Sequence, residues 1–93
     1  MMHEVVQVIP NEDFSVIVYF SDGMIKQFDA KPLLNKGVFK KIADVVTFTE
    51  KCTVLNNTLA WDLSGNFDPY NCLDIDPDSI YENAKDVSDP LLP

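Results

Sequence analysis

The most regular pattern of apolar side chains lies in residues 13–30, DFSVIVYFSDGMIKQFDA. Its first half carries an apolar residue at every second position, at Phe14, Val16, Val18 and Phe20. This period of two, with β-branched and aromatic residues, predicts a strand that is buried more heavily on one face. Asp22-Gly23 then predicts a tight reversal, because glycine accepts the positive φ that a hairpin turn needs. Residues 24–28 return as a second strand.

Two registers of this hairpin fit the sequence. A two-residue loop sets Phe20 opposite Ile25, whereas a three-residue loop with a bulge sets Phe20 opposite Met24. We favour the three-residue loop because it gathers six apolar side chains on one face. These are Phe14, Val16, Val18, Phe20, Met24 and Phe28.

The segments on either side of the hairpin predict a further strand and a helix. Glu4 to Ile9, EVVQVI, is a first strand, so the first three strands form an antiparallel meander. After the hairpin, Asp29 can cap a short turn that contains Pro32. Val38 to Val45, VFKKIADV, follows the helical spacing of apolar residues and predicts a short helix. Its inward side chains are Val38, Phe39, Ile42 and Val45 or Val46.

The second half of the chain predicts a shorter hairpin. Cys52 to Leu55 and Thr58 to Trp61 are two short apolar strands. Asn56-Asn57 lies between them, and paired asparagines tolerate the left-handed conformations of a tight turn. Cys72 to Ile75 is a last short extended segment.

A C-terminal helix is predicted from Pro77 to Lys85. Asp76 is a favourable N-cap for it, and Pro77 suits the first helical position. Its inward side chains are Ile80, Tyr81 and Ala84. We expect residues 1–87 to form one α+β domain and residues 88–93 to form a tail. The domain combines a three-stranded antiparallel meander, a short second hairpin, one central helix and one C-terminal helix.

Charge is distributed unevenly in this 93-residue chain of formal net charge -8. Residues 26–60 have six lysines and three acidic residues, whereas residues 61–93 have eight acidic residues and one lysine. The chain has no arginine, which argues against nucleic-acid binding, since such surfaces cluster Lys and Arg against phosphates. Acidity favours a basic protein partner. It also serves simply to keep a small protein soluble.

The first residues lack the basic and apolar regions of a signal peptide, and no apolar stretch has the length of a membrane span. With 46% hydrophobic residues, the chain can build a core without metal or disulfide bonds. We therefore expect a cytoplasmic protein that does not bind membranes. Cys52 and Cys72 are expected to be reduced, buried thiols.

Three alternating aspartates, Asp74, Asp76 and Asp78, resemble the start of an EF-hand loop. The resemblance fails further on, where Ser79 replaces the turn glycine and Lys85 replaces the bidentate glutamate. A helix cap explains Asp76 and Asp78 without a metal ion. We therefore expect no metal site.

Catalytic patterns are also missing. Cys52, Cys72 and His3 lack the spacing of a zinc site, and a Cys-His pair would require His3 to meet one of the thiols. No carboxylate lies in an apolar run that would raise its pKa for acid-base chemistry. We expect no catalytic residue and no cofactor, and therefore no enzyme.

Aromatic residues flank the Gly65 loop at Trp61, Phe67 and Tyr70. They could line a ligand pocket or a partner surface. We favour a core role for Trp61, with the other two lying over it, because aromatics more often supply core area.

An ordered set of short motifs spans most of the chain. It comprises Phe20-Ser21-Asp22-Gly23, Phe28-Asp29, Pro32-Leu33-Leu34, Gly37-Val38-Phe39, Phe48, Trp61 and Leu73-Asp74-Ile75-Asp76-Pro77-Asp78-Ser79-Ile80-Tyr81. From about residue 4 to residue 81 the chain resembles the bacterial family known as domain of unknown function 2442. The stretch from Trp61 to Asp74 is longer here than in the family.

The resemblance implies an α+β domain with a mainly antiparallel sheet, and it supplies no catalytic residues. Some relatives carry a helix-turn-helix domain after this one, and this chain stops too early to hold it, so direct nucleic-acid binding is not implied. Members are often encoded beside another small protein, and such pairs have been proposed as toxin–antitoxin systems. The resemblance thus implies an antitoxin that neutralises a small partner.

The expected function is a non-enzymatic protein-interaction domain whose partner is a basic cognate toxin. Its expected contacts are the free strand edges and an acidic C-terminal region, with Asp74, Asp78, Glu82, Phe67 and Tyr70 as candidate residues. Exposed sheet edges are also compatible with a homodimer. The alternative is a small-ligand-binding module that uses residues 61–70.

Overall fold

Two antiparallel sheets and two short α-helices form the fold in a computed structural model that describes residues 3–66 and 72–91. The first sheet has the strand order β1-β2-β3-β7 and the second has the order β4-β5-β6. The predicted α+β class is confirmed. The strands are β1 (Val5–Pro10), β2 (Ser15–Phe20), β3 (Ile25–Asp29), β4 (Cys52–Leu55), β5 (Thr58–Trp61), β6 (Leu73–Asp74) and β7 (Lys85–Asp86). The α-helices are α1 (Val45–Lys51) and α2 (Pro77–Asn83), and 3-10 turns span Lys31–Leu33 and Gly37–Ile42.

The central hairpin of β2 and β3 adopts the register with the three-residue loop. Val16 pairs with Phe28, and the Phe20 N–H donates to the Met24 carbonyl oxygen at 2.9 Å. Gly23 has a φ of 93°, which a residue with a Cβ rarely adopts. The favoured register is therefore confirmed, and the six apolar side chains expected on one face all belong to the core or pack against it.

A lysine shares that core face. Lys26 lies directly opposite Val18, and cross-strand partners point to the same side of a sheet. Lys26 is accordingly 8% exposed. Helix α2 and strand β7 lie beside it and provide its polar contacts.

The second hairpin has the bounds that the sequence predicts. Asn56 and Asn57 adopt positive φ values of 54° and 60°, so both central turn residues are left-handed. The turn also joins the two sheets, because the Val5 N–H donates to the Asn57 carbonyl oxygen at 2.8 Å. Trp61 is buried, and its indole N–H donates to the Phe48 carbonyl oxygen at 3.1 Å. The favoured core role of Trp61 is confirmed.

The prediction of one central helix from Val38 to Val45 is wrong. The segment instead forms the 3-10 turn Gly37–Ile42, and α1 starts afresh after Asp44. The Asp44 carboxylate accepts hydrogen bonds from the N–H groups of Val46 and Thr47 at 3.0 and 3.3 Å, which makes Asp44 an N-cap instead of an interior residue.

This break changes which side chains are buried. In a 3-10 turn, residues three apart lie above one another, so Phe39 and Ile42 both point to the core. The valines that the α-helical pattern would have buried are exposed. They are Val38, Val45 and Val46.

The C-terminal helix begins as predicted and ends two residues earlier. Its Asp76 cap and its inward side chains Ile80, Tyr81 and Ala84 are confirmed. Instead of continuing to Lys85, the chain forms β7, which pairs with β3. The Val87 N–H then donates to the Ile25 carbonyl oxygen at 3.1 Å, which continues the alignment of the chain along β3.

Replacing Ile42 by Ala should lower the free energy of unfolding by about 2–5 kcal/mol, because the side chain is fully buried. Val46→Ala, in the same region and exposed, should change it by no more than about 0.5 kcal/mol. Urea titrations of dilute protein followed by Trp61 fluorescence measure both. Equal losses in the two variants would contradict the burial of Ile42 and the exposure of Val46.

Candidate functional site

The acidic C-terminal surface is defined by Asp74, Asp78 and Glu82. Asp74 lies on β6 and Glu82 lies on α2, and both are exposed. Asp78 has a structural role, because its carboxylate accepts the backbone N–H of His3 at 2.9 Å and lies 4.0 Å from the imidazole Nε2. The carboxylates of Asp74 and Glu82 are thus presented to solvent, and within the described part of the chain neither makes a hydrogen bond or an ion pair.

The backbone around this surface is fixed by hydrogen bonds. The Thr58 hydroxyl donates to the Ile75 carbonyl oxygen, and the Ile75 N–H donates to the Leu59 carbonyl oxygen at 3.1 Å. The Asp76 carboxylate then accepts the Asp78 N–H at 3.1 Å and starts α2. The three alternating aspartates therefore have different roles. Asp74 is exposed, Asp76 caps α2, and Asp78 holds the N-terminal segment through the His3 N–H.

Phe67 and Tyr70, the two aromatic candidates, lie outside the described residues. In the described part of the chain, two of the strand edges that were expected to serve as contacts are short. Strands β6 and β7 have two residues each, and the Val5 N–H of β1 is already bonded to Asn57.

Tyr81 is the centre of a cluster that the sequence analysis treated only as core. Its ring stacks on His3 at 3.6 Å between centroids and meets the edge of Phe20 at 5.0 Å. Its hydroxyl donates to the Asp22 carboxylate at 2.6 Å, and the Lys26 ammonium lies 4.9 Å from the ring centroid. The cluster joins the N-terminal segment, the hairpin turn and α2.

Lys26 completes its contacts across the sheet edge. Its Nζ lies 2.5 Å from the Asp86 carboxylate of β7, which is largely exposed. A buried ammonium requires such a partner because removing the charge from water is costly. The alternation of Met24, Lys26 and Phe28 is the sequence signal that could have placed this lysine on the core face.

The pKa values of Asp22 and Tyr81 are shifted away from the range of acid-base chemistry near neutral pH. The hydrogen bond from the Tyr81 hydroxyl, followed by the one from the Met24 N–H, holds the pKa of Asp22 below its ordinary value. The same carboxylate raises the pKa of Tyr81. Both groups therefore keep their usual charge states near pH 7, which fits a structural role.

A cleft of 280 Å³ lies beside the buried Trp61. It is lined by Glu50, Lys51, Cys52, Thr53, Asp62 and Gly65. Burial raises the pKa of the Cys52 thiol to about 12, so the thiol is protonated near neutral pH and is a poor nucleophile. The indole does not line the cleft, because its ring is packed inside.

The described residues contain no group of three or more His, Cys, Asp or Glu side chains that could hold a metal ion. The imidazole of His3 stacks on Tyr81. Among the same residues, no helix is long and apolar enough to cross a bilayer.

The replacement Tyr81→Phe should raise the Asp22 pKa toward its ordinary value. The pKa of Asp22 is lower in the folded protein than in the unfolded chain, so the bond from Tyr81 stabilises the fold at pH values above the ordinary aspartate pKa. This stabilisation is lost as the pH falls through the lowered pKa. The stability difference between wild type and variant should therefore shrink on acidification. NMR titration of the Asp22 carboxyl carbon tests this. Tyr19→Phe, which removes a different tyrosine–carboxylate bond, should leave the Asp22 pKa unchanged.

Cys52 should react slowly with a thiol reagent while the protein is folded. In a Cys72→Ser background at neutral pH, we expect labelling at least about a hundredfold slower than in urea-unfolded protein, because the thiolate is scarce and shielded. A native rate within about tenfold of the unfolded rate would contradict this environment for Cys52.

Comparison with known proteins identifies a family for this arrangement of strands and helices. The family model described as "Protein of unknown function (DUF2442)" matches residues 5–86, which run from the start of β1 to the end of β7. No curated protein and no solved structure matches the chain. The match spans both sheets and both helices, so this chain belongs to the DUF2442 family of proteins of unknown function.

Proposed function

We propose that this chain is a non-enzymatic protein-interaction domain that binds a small basic partner through its acidic C-terminal surface. The carrying observation is that Asp74 and Glu82 are exposed on two elements held by internal bonds. Residues 72–91 contain six acidic residues and one lysine, and Lys26 pairs with only one of these carboxylates, Asp86, so lysines leave most of the negative charge of this region unbalanced. Such a surface speeds encounter with a positive partner and orients it.

The partner we propose is a cognate toxin, with this chain as the cytoplasmic antitoxin. Members of the family are often encoded beside another small protein, and such pairs have been proposed as toxin–antitoxin systems. Neutralisation would consist of covering a basic surface of the toxin. This role needs only a rigid, accessible surface of complementary charge, and no catalytic residue in the antitoxin.

The alternative of a small-ligand module at residues 61–70 loses its central contact. Trp61 is buried with its N–H bonded to Phe48, so a ligand in the neighbouring cleft would meet polar side chains and Cys52 instead of the indole. We therefore place the interaction role first.

Co-expression with the protein encoded beside it tests the proposal. We expect a stable hetero-complex by size exclusion with light scattering, and growth arrest when the neighbour is expressed alone. A harmless neighbour that does not co-purify would overturn the antitoxin role.

The surface itself is tested by the double variant Asp74→Ala, Glu82→Ala. Association with the partner should slow by about three- to tenfold and depend less on salt, because two steering charges are removed. The double variant Glu12→Ala, Glu50→Ala makes the same change in net charge at exposed sites elsewhere and serves as the control. Equal slowing in both would leave only the overall charge as the cause.

A further inference from the structure

The face of the first sheet that points away from the core carries a polar cleft, which takes no part in the contacts proposed above. The cleft has a volume of 270 Å³ and lies where β2 begins and β3 ends. We define the polar cleft by the residues that line it, which are Asp13, Ser15, Gln27, Asp29, Lys31 and Lys85.

The strand register directs four of these side chains to the same face. Ser15 pairs with Asp29 across β2 and β3, and Gln27 pairs with Lys85 across β3 and β7. Cross-strand partners point to the same side of a sheet, and so do residues two apart in one strand. Phe28, which lies between Gln27 and Asp29, packs against the core, so the four polar side chains face away from it. The cleft is therefore built on paired strands.

The other two residues belong to the connections at the ends of β2 and β3. The Asp13 Oδ1 accepts the backbone N–H and the hydroxyl of Ser15, at 3.0 and 2.6 Å. The Lys31 N–H donates to the Asp29 Oδ1 at 3.0 Å. These bonds hold both carboxylates in place. Among the described residues, the second oxygen of each carboxylate has no hydrogen-bond donor and is open to a ligand.

Two positive and two negative groups line the polar cleft without pairing with one another. Within the described part of the chain, neither Lys31 nor Lys85 makes an ion pair. The hydrogen bonds from Ser15, and more weakly the charge of Lys31, hold the pKa of Asp13 below its ordinary value, so this carboxylate is charged near neutral pH. The polar cleft thus has no net charge, although the chain has a formal net charge of -8.

The carboxylates lie at one end of the polar cleft and Lys85 lies at the other. Asp29 is two residues along β3 from Gln27, the partner of Lys85, which separates the two ends by about 7 Å of strand. A ligand that carries an ammonium group beside a carboxylate matches both ends. Drug-sized ligands fill pockets of about 300–1,000 Å³, so a cleft of 270 Å³ suits a smaller molecule.

We propose that the polar cleft binds a free α-amino acid. Asp13 and Asp29 bind its ammonium group, and Lys85 binds its carboxylate together with the side-chain amide of Gln27. Lys31 lies on the side of the two carboxylates, where it offsets part of their charge and does not contact the ligand carboxylate.

A neighbouring cavity provides room for the side chain of the amino acid. It has a volume of 360 Å³ and shares Gln27, Asp29 and Lys85 with the polar cleft. It extends to Asn83 and Ala84 at the C-terminal end of α2. A side chain that enters this cavity adds contacts, so glycine is expected to be the weakest ligand.

NMR titration of the full chain with each of the common α-amino acids tests the site. The backbone signals of Gln27, Asp29 and Lys85 should shift, with a dissociation constant at or below about 1 mM for the tightest ligand. That amino acid is then compared with the amine that lacks its carboxylate and with the acid that lacks its ammonium group. Each analogue should bind about fivefold or more weakly, because each leaves one end of the polar cleft without its charged partner.

Variants of single charges separate the two ends of the polar cleft. Asp29→Asn and Lys85→Ala should each weaken binding by about fivefold or more. Asn at position 29 keeps an oxygen that can accept the Lys31 N–H, so the local bond is retained. Lys31→Ala is the matched control for Lys85→Ala, because it makes the same change in net charge at the other end. It should bind the amino acid no more weakly than wild type. Thermal melts verify that each variant is folded.

Three outcomes would overturn the proposal: no α-amino acid binds with a dissociation constant below about 10 mM, an analogue without one charged group binds as tightly as the amino acid, or Lys31→Ala and Lys85→Ala weaken binding equally. These outcomes leave the proposed hetero-complex untouched, since that complex is tested through Asp74 and Glu82.

Discussion

Burial of one lysine on the core face of the first sheet determines how the surrounding elements are placed. Lys26 faces inward because the three-residue loop sets it opposite Val18. An ammonium in that position needs an anion and a polarisable surface. Asp86 of β7 supplies the anion, and the ring of Tyr81 supplies the polarisable surface. The hairpin register thus places Lys26 where it contacts both Tyr81 of α2 and Asp86 of β7, the strand that returns along β3.

The same arrangement separates structural charges from those available to partners. Asp22, Asp76 and Asp78 accept internal hydrogen bonds, and Asp86 pairs with Lys26. These carboxylates therefore have partners within the fold, although Asp22, Asp76 and Asp86 lie at the exposed surface. The carboxylates available to the proposed partner are the few that make no bond within the fold, and sequence alone does not distinguish them from the rest.

Elements determined by a local pattern of residues, such as the two hairpins, could be predicted from the sequence. Elements for which one residue supports two local structures, such as the helix around Asp44, could not. The hairpins followed from alternation and from glycine or paired asparagines at the turns. The central helix failed because Asp44 supports either a helix interior or a new N-cap, and apolar spacing does not decide between them. Strand β7 is only two residues long, so it has no periodicity to detect. The role of Lys26 required the partner strand to be known.

The bond between Val5 and the Asn56-Asn57 turn has a consequence for the order of folding. Each hairpin closes a short loop, whereas the seam between the sheets joins segments about fifty residues apart in the chain. Contacts between residues so far apart in the chain form late, after formation of the local hairpins has already reduced the conformational entropy of the chain. Until the seam closes, β1 and β4 expose apolar strand surface, so slow synthesis or an early stop of translation would leave an aggregation-prone intermediate.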